Sequence, residues 1–234
     1  MTLPKDKIYV QGYVEVNLSS GAVAKPISVA PDVWYGVMEE LSVGLIHSRM
    51  GGDGFFAGPG TGLCLTGSSN GCANVYNNVG IDARYHLFDG TDKPIVLAAD
   101  GGLFFRSLDP FAIALKVGAV GKKTISKIDL VFGASLVLGL TERDAGNKEV
   151  LSLPISAIYP VSDKLGVGGQ TGLVLPFSAA GDTFLIPLSV AARYIVSPQI
   201  AVEGVFSFPA LLGGSVIAQD IDGRVLSIGA SYLL

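Results

Sequence analysis

Apolar residues recur at every second position over long stretches of the chain. Ile8, Val10, Val14, Val16 and Leu18 share one parity, and Tyr9, Gln11, Tyr13, Glu15 and Asn17 take the other. Val75, Val79, Ile81, Ala83, Tyr85 and Leu87 alternate with Asn78, Gly80, Asp82, Arg84 and His86. Phe184, Ile186, Leu188, Val190, Ala192 and Tyr194 alternate with small or polar residues ending in Arg193. A period of two gives a strand one apolar and one polar face. No sustained helical stripe at i, i+3, i+4, i+7 is present. The pattern predicts about twelve strands, within a range of ten to fourteen, at roughly 7–18, 27–38, 41–48, 74–87, 94–106, 111–121, 125–140, 150–161, 165–176, 183–196, 199–208 and 223–234. Most exceed the usual mean of about 5–6 residues and suit the roughly 9–11 that cross a bilayer at a tilt.

The connections between these strands alternate in kind. Those at 39–40, 89–93, 122–124, 162–164 and 197–198 are tight. Those at 19–25, 49–73, 141–149, 177–182 and 209–222 are longer, and only 107–110 is short in that set. Short turns at one rim and long loops at the other are expected of a closed, up-and-down antiparallel transmembrane β-barrel. The whole chain, 1–234, reads as one such domain.

Composition points the same way. Charged residues are 15%, against roughly 25% in ordinary soluble domains. Hydrophobic residues are 49%, and the net charge is −4. A basic nucleic-acid-binding surface and a disordered chain are both excluded by these values. A helix crossing lipid needs about 20 consecutive apolar residues. The longest charge-free stretch, 54–81, is broken by Gly, Pro, Asn, Ser and Thr. Strands closed into a barrel are the other way to satisfy every backbone polar group in lipid.

Aromatic residues of apolar parity fall into two groups. Tyr35, Tyr85, Tyr159, Tyr194 and Tyr232 lie beside the tight turns, and Phe105, Phe111, Phe184, Phe206 and Phe208 beside the long loops. Two girdles at the headgroup levels are expected from this arrangement. A soluble sandwich remains the structural rival, because it shows the same alternation.

The run Pro31-Asp32-Val33-Trp34-Tyr35-Gly36-Val37, continuing through Glu39-Glu40 into Leu41-Ser42-Val43-Gly44-Leu45, resembles a periplasmic hairpin of bacterial outer-membrane β-barrel proteins. The C-terminal Ser231-Tyr232-Leu233-Leu234 resembles the final-strand assembly signal of that class, with Leu234 where Phe is usual. The resemblance implies the outer membrane as location and a lipid bilayer or detergent as partner. The segment 1–7 lacks the apolar region of a secretory signal, so the sequence reads as a mature chain with a start methionine added.

The polar parity carries Glu15, Asp32, Asp82, Asp100, Asp129 and Glu203 with Arg84, Arg106, Lys116, Lys127 and Arg193. These residues are expected to line the lumen, with signs nearly balanced. Small neighbours such as Gly80, Ala114, Gly118 and Ser135 favour a narrow watery passage, because about eight strands are filled by side chains whereas 16–18 leave an open channel. Cys64 and Cys72, separated by seven residues in a loop expected to lie outside the cell, read as a disulfide. No cofactor or metal signature appears. The glycine-rich run Gly58-Pro59-Gly60-Thr61-Gly62 lacks the Gly-Lys-Ser/Thr ending of a phosphate loop.

Two histidines bear on enzyme chemistry. His47 has lipid-face parity near the outer rim, but its expected neighbours on that face, Val29, Val75 and Asn77, include no serine. His86 is expected to face inward beside Arg84 and Asp82. A hydrolytic triad cannot be assembled from these strand positions, so no enzyme is expected. The expected function is a monomeric, narrow, low-selectivity channel for ions or small polar solutes. The alternatives are a closed barrel that displays its loops and, behind it, a lipid-acting hydrolase.

Overall fold

The computed structural model describes residues 2–20, 26–56, 62–70, 72, 76–88, 95–214 and 220–234. The tight connection read at 89–93, the run 58–61, Val75, and parts of the loops at 19–25 and 209–222 lie outside them. The described residues form one all-β sheet. Its strands are β1 (Ile8–Asn17), β2 (Ile27–Met38), β3 (Leu41–Ile46), β4 (Gly62–Cys64), β5 (Tyr76–Phe88), β6 (Val96–Leu108), β7 (Phe111–Ile125), β8 (Ile128–Gly139), β9 (Val150–Pro160), β10 (Leu165–Pro176), β11 (Leu185–Ile195), β12 (Ile200–Gly213) and β13 (Val225–Leu233). Consecutive strands other than β3 and β4 pair antiparallel, and β1 pairs with both β2 and β13, which closes the barrel. No helix among the described residues is long and apolar enough to cross a membrane.

The alternating sequence sets the two faces. Register carries parity around the wall, so Tyr13 of β1 lies opposite Ala30 on one side and Gly229 on the other. Tyr13, Glu15, Asp82 and Ser189 are buried, whereas Val14, Ile81 and Val190 are exposed. The greasy face of each strand thus points out and the mixed face points in. Closure removes the edges on which an open sheet would aggregate.

One stave of the wall is split. β3 pairs with β2 and β5 only in the half near the tight turns, and ends at Ile46. β4 resumes the same place between β2 and β5, with Ser28 opposite Cys64 and Tyr76 opposite Leu63. Thirteen segments therefore fill twelve places. The strand expected at 41–48 stops early because an inward carboxylate diverts the chain. Asp32 Oδ1 accepts from the backbone N–H of His47 at 2.7 Å and of Ser48 at 2.8 Å. Ser48 then caps a single helical turn, α1 (Arg49–Gly52), its Oγ accepting from Gly51 N at 3.1 Å.

Inside, large residues sit beside glycines. Phe104 is in register with Gly80, where a Cβ would come within 2.3 Å of the phenyl ring. Tyr13 lies against Gly229 in the same way, at 2.5 Å. An interior packed near crystal density fits a ring over one strand only if the neighbouring strand yields the room. Trp34, Ile46 and Phe104 form one buried cluster, joined by Leu3 and Tyr9, and Val205 with Val225 forms another.

Candidate functional site

The inward positions of β5, β6 and β7 converge on Lys116. Its Nζ donates to Asp82 Oδ2 at 2.7 Å and pairs with Asp100 Oδ2 at 2.8 Å. It also donates to the backbone oxygen of Gly51 at 3.2 Å. Gly102 makes the approach feasible, since a Cβ there would lie 2.7 Å from Asp82 Oδ1. Arg84, in register with Asp100, stacks over Trp34 with 4.8 Å from guanidinium carbon to ring centre. Two carboxylates and two cations thus neutralise one another where an isolated buried charge would be prohibitive.

Lys116 holds more than the wall. The segment 49–56, expected outside the cell as part of a loop, folds into the barrel instead. It starts at Asp32 on β2 and passes Lys116 on β7. It then reaches β10, where Gln170 accepts from Phe56 N at 2.6 Å and donates to Gly54 O at 2.8 Å. Phe56 packs against the Val205 and Val225 cluster of β12 and β13. Within it, Arg49 pairs with Asp53 at 2.9 Å, and the Arg49 guanidinium lies 5.1 Å from the centre of the buried Phe55 ring. This crossbar separates two cavities. An inner one of about 600 Å³ lies toward the tight turns and is lined by Trp34, Arg84, Asp100, Lys116, Ser135 and Arg193 among others. An outer one of about 400 Å³ is lined by Arg49, Asn78, Phe104, Arg106 and Ser152 among others. Gly52 and Asp53 line both.

The remaining charged residues named from sequence occupy separate places. Glu15 is buried, with Ser28 Oγ 3.3 Å away. Glu203 accepts from Tyr13 OH at 2.6 Å and lies 3.9 Å from Arg193, which donates to Ser231 Oγ at 3.2 Å. Arg106 faces the outer cavity and reaches Asn147 Oδ1 at 3.5 Å. Asp129 pairs with Lys122 at 2.7 Å at the tight-turn rim. Lys127 is a correction: it sits exposed in the turn between β7 and β8, not on the wall, because parity does not carry through a turn.

His47 is a second correction. It does not face lipid: the chain turns inward after Ile46, and the ring is buried, bonded through Nδ1 to the Pro31 carbonyl and through Nε2 to the Tyr76 hydroxyl. Cys64 and Cys72 form a disulfide, their Cα atoms 5.9 Å apart. Tyr35, Tyr85, Tyr159, Tyr194 and Tyr232 are exposed near the tight turns. Near the other rim Phe105 packs on Phe111 and Phe206 on Phe208, with ring centres 5.5 Å and 5.2 Å apart, while Phe184 is half-buried. Sequence reading missed the interior roles of Trp34, Phe104 and Gln170. Their parity was available, but nothing local distinguishes them from other inward residues.

No protein-family model matches the sequence, and no curated protein matches it. Solved structures do. The NanC porin has a TM-score of 0.64 at 12% identity, over 96% of this chain and 98% of that one. The KdgM porin in complex with disordered oligogalacturonate has a TM-score of 0.60 at 9% identity, over 96% and 98%. An outer membrane channel from Pseudomonas putida F1 has a TM-score of 0.59 at 11% identity, over 100% and 97%. At these identities the likeness is one of fold, and the fold is that of bacterial outer-membrane channels and porins.

Proposed function

We propose that this chain is a monomeric outer-membrane channel passing ions or small polar solutes down the barrel interior. The observation that carries the reading is the pair of cavities inside a closed barrel, both faced by charged and hydroxyl side chains. In the inner cavity Arg84, Lys116 and Arg193 stand against Asp32, Asp53 and Asp100, sign for sign. Such a wall replaces part of a solute's hydration without rejecting either sign strongly, which supports low selectivity. The girdle tyrosines and phenylalanines hold the barrel at the two headgroup levels.

Purified protein in a planar bilayer is expected to give discrete conductance steps. In liposomes it is expected to admit small sugars and organic acids. Because one similar fold was solved with oligogalacturonate, short acidic saccharides belong in that series. Silence in both assays, from protein that shows the heat-dependent gel shift of a folded barrel, overturns the channel. The crossbar favours a second reading, since a segment spanning the lumen suits a closed scaffold that works through its outer loops. Exclusion of every solute by a folded barrel is the result that supports it. No catalytic role is proposed for His47, because both its ring nitrogens already have protein partners.

A further inference from the structure

We infer that solute passes from one cavity to the other through an eyelet between Gly52–Asp53 on the crossbar and Ser135–Ser152 on the wall, and that this eyelet favours small anions. The inference rests on the channel reading and specifies its narrowest point. Gly52 and Asp53 are the crossbar residues that face both cavities. Ser135 faces the inner cavity and Ser152 the outer, and the two lie directly opposite in the β8–β9 register. They therefore mark one height of the wall where the cavities meet.

The two serines carry a second signal. Both are more than nine-tenths buried, and neither hydroxyl has a hydrogen-bond partner among the described residues. A buried hydroxyl left without a protein partner is costly unless something else meets it. Both oxygens are shut off from solvent, so the pair in register marks a polar stretch of wall, without protein partners among the described residues, at the height where the cavities meet. The glycine on the crossbar is equally specific. A Cβ at Gly52 would find Asn78 Nδ2 at 3.4 Å and Phe104 at 3.8 Å, both residues that line the outer cavity, which is ordinary contact. A Cβ at Gly51 would strike Ile46 Cγ2 at 2.2 Å. Gly51 is thus required by packing, whereas at Gly52 the absent side chain leaves the outer cavity clear.

Charge gives the preference. The inner cavity is balanced, but among the described residues the outer cavity places Arg49 and Arg106 against the single carboxylate of Asp53. The outer side of the eyelet therefore carries a net positive charge in a confined, partly desolvated space, where it acts more strongly than in bulk water.

The test is a bilayer recording in a KCl gradient. The native channel is expected to reverse on the chloride side of zero, and Arg106→Gln to shift the reversal toward potassium. Gly52→Cys supplies the only free thiol, because both native cysteines are bonded to each other. Adding a small methanethiosulfonate reagent to this folded, conducting variant is expected to lower its conductance by roughly threefold or more. Gly52→Trp is expected to do the same without a reagent. A labelled Gly52→Cys channel that conducts as before overturns the eyelet, and an unmoved reversal potential in Arg106→Gln overturns its anion preference. In either case a conducting native protein leaves the channel reading standing. A silent native protein overturns both.

Discussion

At the scale of single residues the energetics centre on Lys116. One ammonium lies between two carboxylates, Asp82 fully buried and Asp100 nearly so, and removing it leaves both facing the single Arg84 cation. Lys116→Met is expected to cost about 3–5 kcal/mol, the range for breaking a buried ion pair by deleting one partner. Combining it with Asp82→Asn is expected to recover most of that loss, because Asp100 and Arg84, in register on β6 and β5, are then left in balance. Urea unfolding in lipid vesicles measures both, and equal stability of the single and double variants would contradict the account. A different residue pair titrates outside the barrel. In the loop 140–149 the Arg143 guanidinium hydrogen-bonds Glu149 and holds its carboxyl below the ordinary value of 4.5. A lowered carboxyl stabilises the folded loop at every pH above the unfolded value and loses that effect as pH falls through the folded one. Protection of the amides in 140–149, taken relative to their intrinsic exchange rates, is therefore expected to fall only below about pH 4.5, and Glu149→Gln to show the lower protection already at pH 7. Residue identity alone did not make these roles legible. Lys116 and Lys122 share strand and parity, yet one is a buried hub and the other a rim partner of Asp129, because height along the strand decides and sequence shows height only through the turns.

At the scale of elements the split stave is the departure from a plain barrel. Eleven of the twelve places follow from alternation, since each strand needs only its own period of two and its own turns. The remaining place depends on Asp32 capturing two backbone N–H groups of a segment that has no period at all. Nothing between 49 and 56 announces that it will cross the lumen, because its partners, Lys116 and Gln170, lie far along the chain. The element is nonetheless tightly determined. Gly51→Ala is expected to cost about 1–3 kcal/mol through the clash with Ile46, while Gly52→Ala is expected to be nearly neutral. Comparing the two melting transitions checks this, and equal shifts would mean that the crossbar is not packed as described. β4 has the converse weakness: three residues hold its place in the wall, helped by the disulfide from Cys64. Closing so short a loop is worth about 2–3 kcal/mol in the chain-entropy account. Reduction is expected to leave the heat-dependent gel shift intact yet to speed proteolysis between β3 and β5. Cleavage at the native rate after reduction would show that β4 needs no staple.

At the scale of the whole molecule one question governs the rest: which solvent meets the outer face. Leu188, Val190 and Ile228 stand exposed around the barrel, and tyrosines ring one end. In water such a surface would drive association. In lipid it is the ordinary exterior of a spanning barrel, and the cost of a charge then depends on depth. Val190 is the sixth of eleven residues in β11, near mid-height, while Tyr194 lies beside the tight-turn rim. In lipid Val190→Arg is expected to cost about 2–4 kcal/mol and Tyr194→Arg about 0–1 kcal/mol. Both side chains are about half exposed, at 56% and 45%, so a protein bathed in water would tolerate the two changes alike. Vesicle unfolding of the two variants side by side therefore reads the solvent directly. A depth-dependent loss places hydrocarbon against the strands, whereas two equal and small effects would remove the membrane from the account and the channel with it.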